Sequence, residues 1–137
     1  MTTNPGHPNV LIVDDDDDIR AGLHQMLDEI EELTIAEAAD GQLALDAMKS
    51  THFDLLFLDI NMPLISGDQV AAMLNQDSRF IRPGFIVIMS AHTNLQAMTS
   101  RVDAGSVDRF LSKPFRYEDL QSIVADALMP DFLGDLS

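Results

Sequence analysis

An apolar run, Val10-Leu11-Ile12-Val13, ends in five consecutive aspartates, Asp14 to Asp18, and a second run, Leu55-Leu56-Phe57-Leu58, ends on Asp59. Short apolar runs rich in branched residues read as buried parallel strands, and open α/β sheets hold ligands beyond the carboxyl ends of such strands. Acids at two strand ends can therefore converge. Two carboxylates about 4 Å apart repel by about 4 kcal/mol at an effective dielectric near 20, whereas a helix N-terminus returns only about 0.3–1 kcal/mol. Helix dipoles alone cannot hold such a group of acids together. A hard divalent cation can, and oxygen ligands without Cys or paired His favour Mg²⁺ over Zn²⁺.

Two further strand ends carry chemistry, Ser90 after a fourth strand-like run and Lys113 after a fifth. The carboxylates of Asp14, Asp15 and Asp59 outweigh the single ammonium of Lys113, and a bound Mg²⁺ would balance the excess. A phosphoryl donor could then approach without facing bare negative charge, so the charge balance suits phosphoryl transfer. Asp16, Asp17 and Asp18 have a plainer explanation as a solvated loop and helix N-cap, because anions are favoured in a first helical turn. Asp14 and Asp15 sit directly on the strand end, where capping requires no acidic pair.

The elements that would position these groups follow from periodicity. Strand-like runs at 10–13, 33–37, 54–58, 85–89 and 107–111 alternate with helix-like segments near 17–30, 41–49, 67–76, 93–103 and 116–128. Ile19, Leu23, Met26, Leu27 and Ile30 recur at helical spacing in the first helix, as do Leu120, Ile123, Val124, Ala127 and Leu128 in the last. Each helix thus has one face to bury on a sheet. Alternating βα units imply a parallel sheet with right-handed crossovers and helices on both faces, a doubly wound α/β sandwich. The run at 33–37 is short and suits an edge strand. Gly41, Gly67, Gly84 and Gly105 punctuate the connections. Pro130 cannot continue the last helix, so 131–137 are expected to form a short tail.

At 137 residues the chain fits one domain, with a proper core and no room for a separate effector domain. Eight basic against 23 acidic residues give a net charge of −15, which argues against direct nucleic-acid binding or an anionic membrane surface. The absence of Cys fits the cytoplasm. Met1 to Pro8 lack the layout of a signal peptide, and no apolar stretch approaches the ~20 residues of a membrane span.

Taken together, Val13-Asp14-Asp15, Leu58-Asp59-Ile60-Asn61-Met62-Pro63 with Gly67, Ser90-Ala91 and Lys113-Pro114-Phe115 resemble the receiver domain of bacterial two-component response regulators. Each piece alone is common; the ordered set over roughly residues 9–128 is specific. The resemblance implies a five-stranded parallel, doubly wound (βα)5 flavodoxin-like sheet of strand order 2-1-3-4-5. It also implies a flexible N-terminus at 1–8, the receiver at 9–129, and 130–137 as a tail or the start of a linker. By the same resemblance Asp59 takes a phosphoryl group from the phosphohistidine of a histidine kinase or phosphotransfer protein, a known use of a carboxylate nucleophile. Asp15, Asp59 and the backbone carbonyl of Asn61 would bind Mg²⁺ directly, with Asp14 acting through a coordinated water. Lys113 would reach the phosphoryl oxygens.

Ser90 would donate its hydroxyl once phosphate is present, which stabilises the phosphorylated conformer and draws the following loop inward. Phe110 lies where the family commonly places an aromatic whose rotamer follows that switch; the plainer alternative is a core phenylalanine. The Lys113-Pro114 peptide is expected to be cis on resemblance alone, although X-Pro bonds in general are cis about 5–6% of the time. His92 occupies a family position that influences dephosphorylation, or is an idle loop histidine. His7, His24 and His52 show no metal-binding spacing. Arg101, Arg109, Lys113 and Arg116, half of the basic residues, fall in a region that often meets partners in this family, though scattered arginines also simply solvate an acidic molecule. The expected partners are the kinase or phosphotransfer protein and a downstream protein or linked effector domain, with phosphorylation-dependent dimerisation as a further expectation.

Three competing readings fit the residues less well. An EF-hand loop fits the spacing of Asp14, Asp16 and Asp18, but Ile19 stands where glycine is needed and Gln25 where a bidentate Glu is needed. A haloacid-dehalogenase-type phosphohydrolase needs a second aspartate where Asn61 stands, and an amide cannot serve as its general acid. A phosphorylation-independent adaptor with the same fold is disfavoured by the complete acid, serine and lysine set.

Overall fold

The computed structural model describes residues 7–91, 100–102 and 105–128. Its elements run β1 (Asn9–Val13), α1 (Asp17–Ile30), β2 (Thr34–Ala38), α2 (Gly41–Ala47), β3 (Leu55–Asp59), α3 (Gly67–Gln76), β4 (Ile86–Ala91), β5 (Arg109–Lys113) and α4 (Tyr117–Leu128). The five strands form one sheet of order β2-β1-β3-β4-β5, and every pairing is parallel. The expected topology is observed, with β2 on an edge. Most of the helix expected at 93–103, together with His92 and the tail 131–137, lies outside the described residues.

Alternation along the strands divides the core. Leu11 and Val13 of β1, Leu56 and Leu58 of β3, and Ile86 and Ile88 of β4 face α2 and α3, where they meet Leu45, Val70 and Leu74. Val10 and Ile12, Leu55 and Phe57, and Val87 and Met89 face the other way, against Leu23 and Leu27 of α1 and Leu120, Ile123 and Val124 of α4. Strands buried on both faces explain why the sequence shows continuous apolar runs rather than alternation.

Element boundaries shift from the periodicity by one or two residues, most clearly at β5 and at the ends of α2 and β4. Strand β5 begins at Arg109, two residues later than expected, because Asp108 closes the approach to it. Its backbone N–H donates to the Ile86 carbonyl at 2.8 Å, and its carboxylate accepts from the Ile86 N–H at 2.8 Å. Lys113 is consequently the last strand residue rather than a residue beyond it. Gly41 and Gly67 open the helices expected from positions 41 and 67, and both are buried. Gly67 is required sterically: its N–H donates to the Ile60 carbonyl at 2.9 Å, and a Cβ there would lie 2.8 Å from Ile60 Cα and press on the Asp59 carbonyl. The start of α3 is thereby laid directly on the end of β3.

Candidate functional site

The carboxyl ends of β1, β3 and β5 lie on one rim because every strand runs parallel, with β1 next to β3 and β4 between β3 and β5. Asp14 follows β1 and is fully buried; Asp59 ends β3 and is 5% exposed; Lys113 ends β5. The Lys113 ammonium donates to Asp14 at 2.8 Å and lies 3.2 Å from Asp59 Oδ1. Oxygens of Asp14, Asp15 and Asp59 all fall within 4.8 Å of one another. Asp14, Asp15, Asp16, Ile19, Asp59, Asn61, Ala91, Lys113 and Pro114 line a cleft of about 390 Å³.

The electrostatics follow from this crowding. Burial, and then the neighbouring Asp14, push the Asp59 carboxyl from 3.8 up to about 6, against the pull of Lys113 and of the Asn61 backbone N–H. Burial works against the Lys113 charge, but its hydrogen bond to Asp14 and the nearby Asp59 outweigh this and raise its pKa. One ammonium therefore does not compensate the acids it serves.

Each expected site residue can be placed. Asp14, Asp15, Asp59, Asn61 and Lys113 come together at the cleft. Ser90, near the end of β4, is 2% exposed and pairs in register with Ser112; its neighbour Ala91, not Ser90, lines the cleft. Phe110 is half-buried on β5 beside Ile88 and packs against the core on the α2 and α3 side. The Lys113-Pro114 peptide is cis. Asp16 is the N-cap of α1, accepting from the Asp18 and Ile19 N–H groups, and Asp17 and Asp18 occupy the first turn. The solvating and capping explanation of Asp16 to Asp18 is the one observed.

The basic cluster is largely committed within the molecule. Arg101 donates to Asp68 at 2.8 Å and to the Asn61 side-chain oxygen at 3.3 Å, and Arg109 donates to Asp126 and Ser122. The sequence reading missed Arg20, whose guanidinium donates to the Asp14 carbonyl at 2.7 Å. Its spacing of three from Asp17 was a visible signal, but its contacts with Asp14 and with Glu37 of β2 depend on the fold.

The chain belongs to the response regulator receiver domain family, whose profile matches residues 10–125. It is 32% identical over 120 residues to the transcriptional regulatory protein PrrA of Mycobacterium tuberculosis, covering 88% of this chain and 49% of PrrA. Against Protein PilG of Pseudomonas aeruginosa it is 31% identical over 123 residues, covering 90% of this chain and 88% of PilG. The chain thus spans about half the length of PrrA but most of PilG. Among solved structures, the receiver domain of a Pseudomonas aeruginosa sensor histidine kinase, with a magnesium ion coordinated in its active-site cleft, superposes with a TM-score of 0.76. That likeness, at 21% identity over 88% of this chain and 97% of the other, concerns the fold. Receiver domains are regulators of two-component signalling rather than enzymes acting on external substrates. Among the described residues, no helix is long and apolar enough to cross a membrane.

Proposed function

We propose that this receiver domain is switched by phosphorylation of Asp59 in the presence of Mg²⁺. The observation that carries the reading is the convergence of Asp14, Asp15 and Asp59 within 4.8 Å, with Lys113 shared by Asp14 and Asp59. The donor set fits the ion. It is all oxygen, as Mg²⁺ requires, and three clustered carboxylates stand against the single ammonium of Lys113. Asp15, Asp59 and the Asn61 carbonyl would hold Mg²⁺, with Asp14 behind a coordinated water. Bound there, the ion would neutralise the acids and the charge developing on the phosphoryl oxygens.

The Asp59 carboxylate attacks phosphorus, a new O–P bond forms, and the P–N bond of the donor phosphohistidine breaks with its electron pair returning to the imidazole. Lys113 stabilises the phosphoryl oxygens that result. Ser90 donates its hydroxyl to a phosphoryl oxygen and Phe110 follows the movement, so a pre-existing equilibrium shifts toward the partner-binding conformer. Phosphoryl donors are a histidine kinase or phosphotransfer protein, and the output is a downstream protein or linked effector, in the cytoplasm. Residues 9–129 form the receiver and 130–137 a tail or linker. The chain's own catalysis is confined to its phosphorylation and dephosphorylation.

Intact mass after incubation with acetyl phosphate tests the reading. One phosphoryl adduct that requires both Mg²⁺ and Asp59 is expected. An adduct persisting in Asp59→Asn would mean another acceptor, and no adduct under any condition would favour the phosphorylation-independent adaptor.

A further inference from the structure

Asp14 is held from four directions. Its N–H donates to the Ala38 carbonyl of β2 at 3.2 Å, Oδ1 accepts from the Asp16 N–H at 2.9 Å, and Oδ2 accepts from Lys113 at 2.8 Å. The fourth hold is on its carbonyl, from Arg20 Nη1 at 2.7 Å. That carbonyl belongs to the peptide joining Asp14 to Asp15. Whatever fixes its plane also fixes the direction in which Asp15 leaves the strand.

Arg20 is itself rigidly placed. Its Nε donates to Glu37 Oε1 at 3.0 Å, its Nη2 to Asp17 Oδ1 at 2.6 Å, and its side chain is only 14% exposed. Glu37 is anchored in turn by His24 Nδ1 at 2.6 Å, and this hydrogen bond first, then Arg20, keep its pKa below the usual range against a partial loss of solvent. A chain of contacts therefore runs from the edge strand β2 and helix α1 to the backbone between the two acids. A guanidinium spreads its donors over a planar fork that reaches three separated acceptors, whereas an ammonium gathers its three donors on one atom.

We propose that Arg20 is a positioning residue, a strut that holds the β1–α1 loop in the shape that presents Asp14 and Asp15 to a divalent cation. This rests on the Mg²⁺ reading of the acid cluster. It also predicts a sign that electrostatics alone would reverse. Removing a cation beside a dication site should tighten Mg²⁺ binding if Arg20 acts only through its charge; losing a strut weakens it.

The experiment is calorimetric titration of Mg²⁺ into the wild-type chain, Arg20→Met, Arg20→Lys and Glu37→Gln, at a temperature where melting curves show each to be folded. Both Arg20 variants are expected to bind Mg²⁺ about tenfold more weakly, the scale typical of lost groups that orient metal ligands, and Glu37→Gln to lie between. With acetyl phosphate, the Mg²⁺ concentration for half-maximal phosphorylation should rise while the rate at saturating Mg²⁺ approaches wild type. A role confined to stability would lower the melting temperature and leave both readouts unchanged. Equal or tighter binding by Arg20→Met overturns the proposal. Should that variant not fold, unchanged affinity in both Arg20→Lys and Glu37→Gln overturns it instead. A wild-type chain that binds no Mg²⁺ removes the proposed function as well, whereas wild-type binding with unchanged variants removes the strut alone.

Discussion

Asp59 holds its proton more tightly in the fold than an ordinary aspartate does, with a pKa raised from 3.8 to about 6, chiefly by burial. The unfolded chain gives up that proton more readily. The stabilisation from the protonated form is therefore complete below about pH 4 and lost as pH rises through about 6, so at neutral pH an ionised Asp59 costs about 1–3 kcal/mol. Asp59→Asn keeps the shape without the charge. In Mg²⁺-free buffer it should melt above wild type at pH 7.5, with the gap closing toward pH 4; a gap independent of pH would contradict this. Adding Mg²⁺ should narrow or reverse the difference at pH 7.5, because the substitution removes one carboxylate ligand. The Arg101 contacts with Asn61 and Asp68 and the Arg20 contact with Asp14 show how few basic residues remain to spare beside so many acids.

At the scale of elements, the connection from β3 to α3 concentrates two conformational demands. Gly67 lets the first turn of α3 touch the backbone of Asp59 and Ile60. Gly67→Ala should destabilise the fold by about 1–3 kcal/mol through overpacking, and should also weaken Mg²⁺ binding because the displaced backbone carries Asp59. Thermal melts and calorimetry on the same variant test both effects. Leu64 adopts φ 69° and is 99% exposed. A leucine in this left-handed region costs roughly 1–2 kcal/mol, and so exposed a side chain recovers nothing by burial. Leu64→Asn, which tolerates that backbone better, should raise the melting temperature by about 2–4 °C. An unchanged or lower value would show that Leu64 makes a compensating contribution. The β3 and β5 ends illustrate the converse. Strand β3 matched its apolar run within a residue, whereas the start of β5 was displaced by the Asp108 side chain, an interaction with Ile86 across the sheet that no local pattern contains.

For the whole molecule, a net charge of −15 sets two responses to added ions. Monovalent salt screens the general repulsion, while Mg²⁺ at one hundred times its dissociation constant would add about 2.7 kcal/mol by binding the native state. Thermal melts should therefore rise with both, with EDTA reversing only the Mg²⁺ effect; Asp15→Asn should lose much of the Mg²⁺ response and keep the response to NaCl. An identical Mg²⁺ response in Asp15→Asn would place the ion elsewhere. The alternation of five strand-like runs with helical segments, and the acids and lysine at the strand ends, are legible along the chain because periodicity and end residues are local properties. From alternation it follows that the sheet is parallel and doubly wound, since short right-handed crossovers leave few other solutions. It took the folded arrangement to bury Asp14 fully against Lys113, to leave Asp15 exposed, and to raise the Asp59 pKa. That arrangement alone linked Arg20 and Glu37 to the acidic pair and committed Arg101 to Asn61. Burial, pKa and the partner of a long cationic side chain depend on which distant segments the crossovers bring to the same rim, and that is a property of three-dimensional neighbours rather than of spacing along the chain.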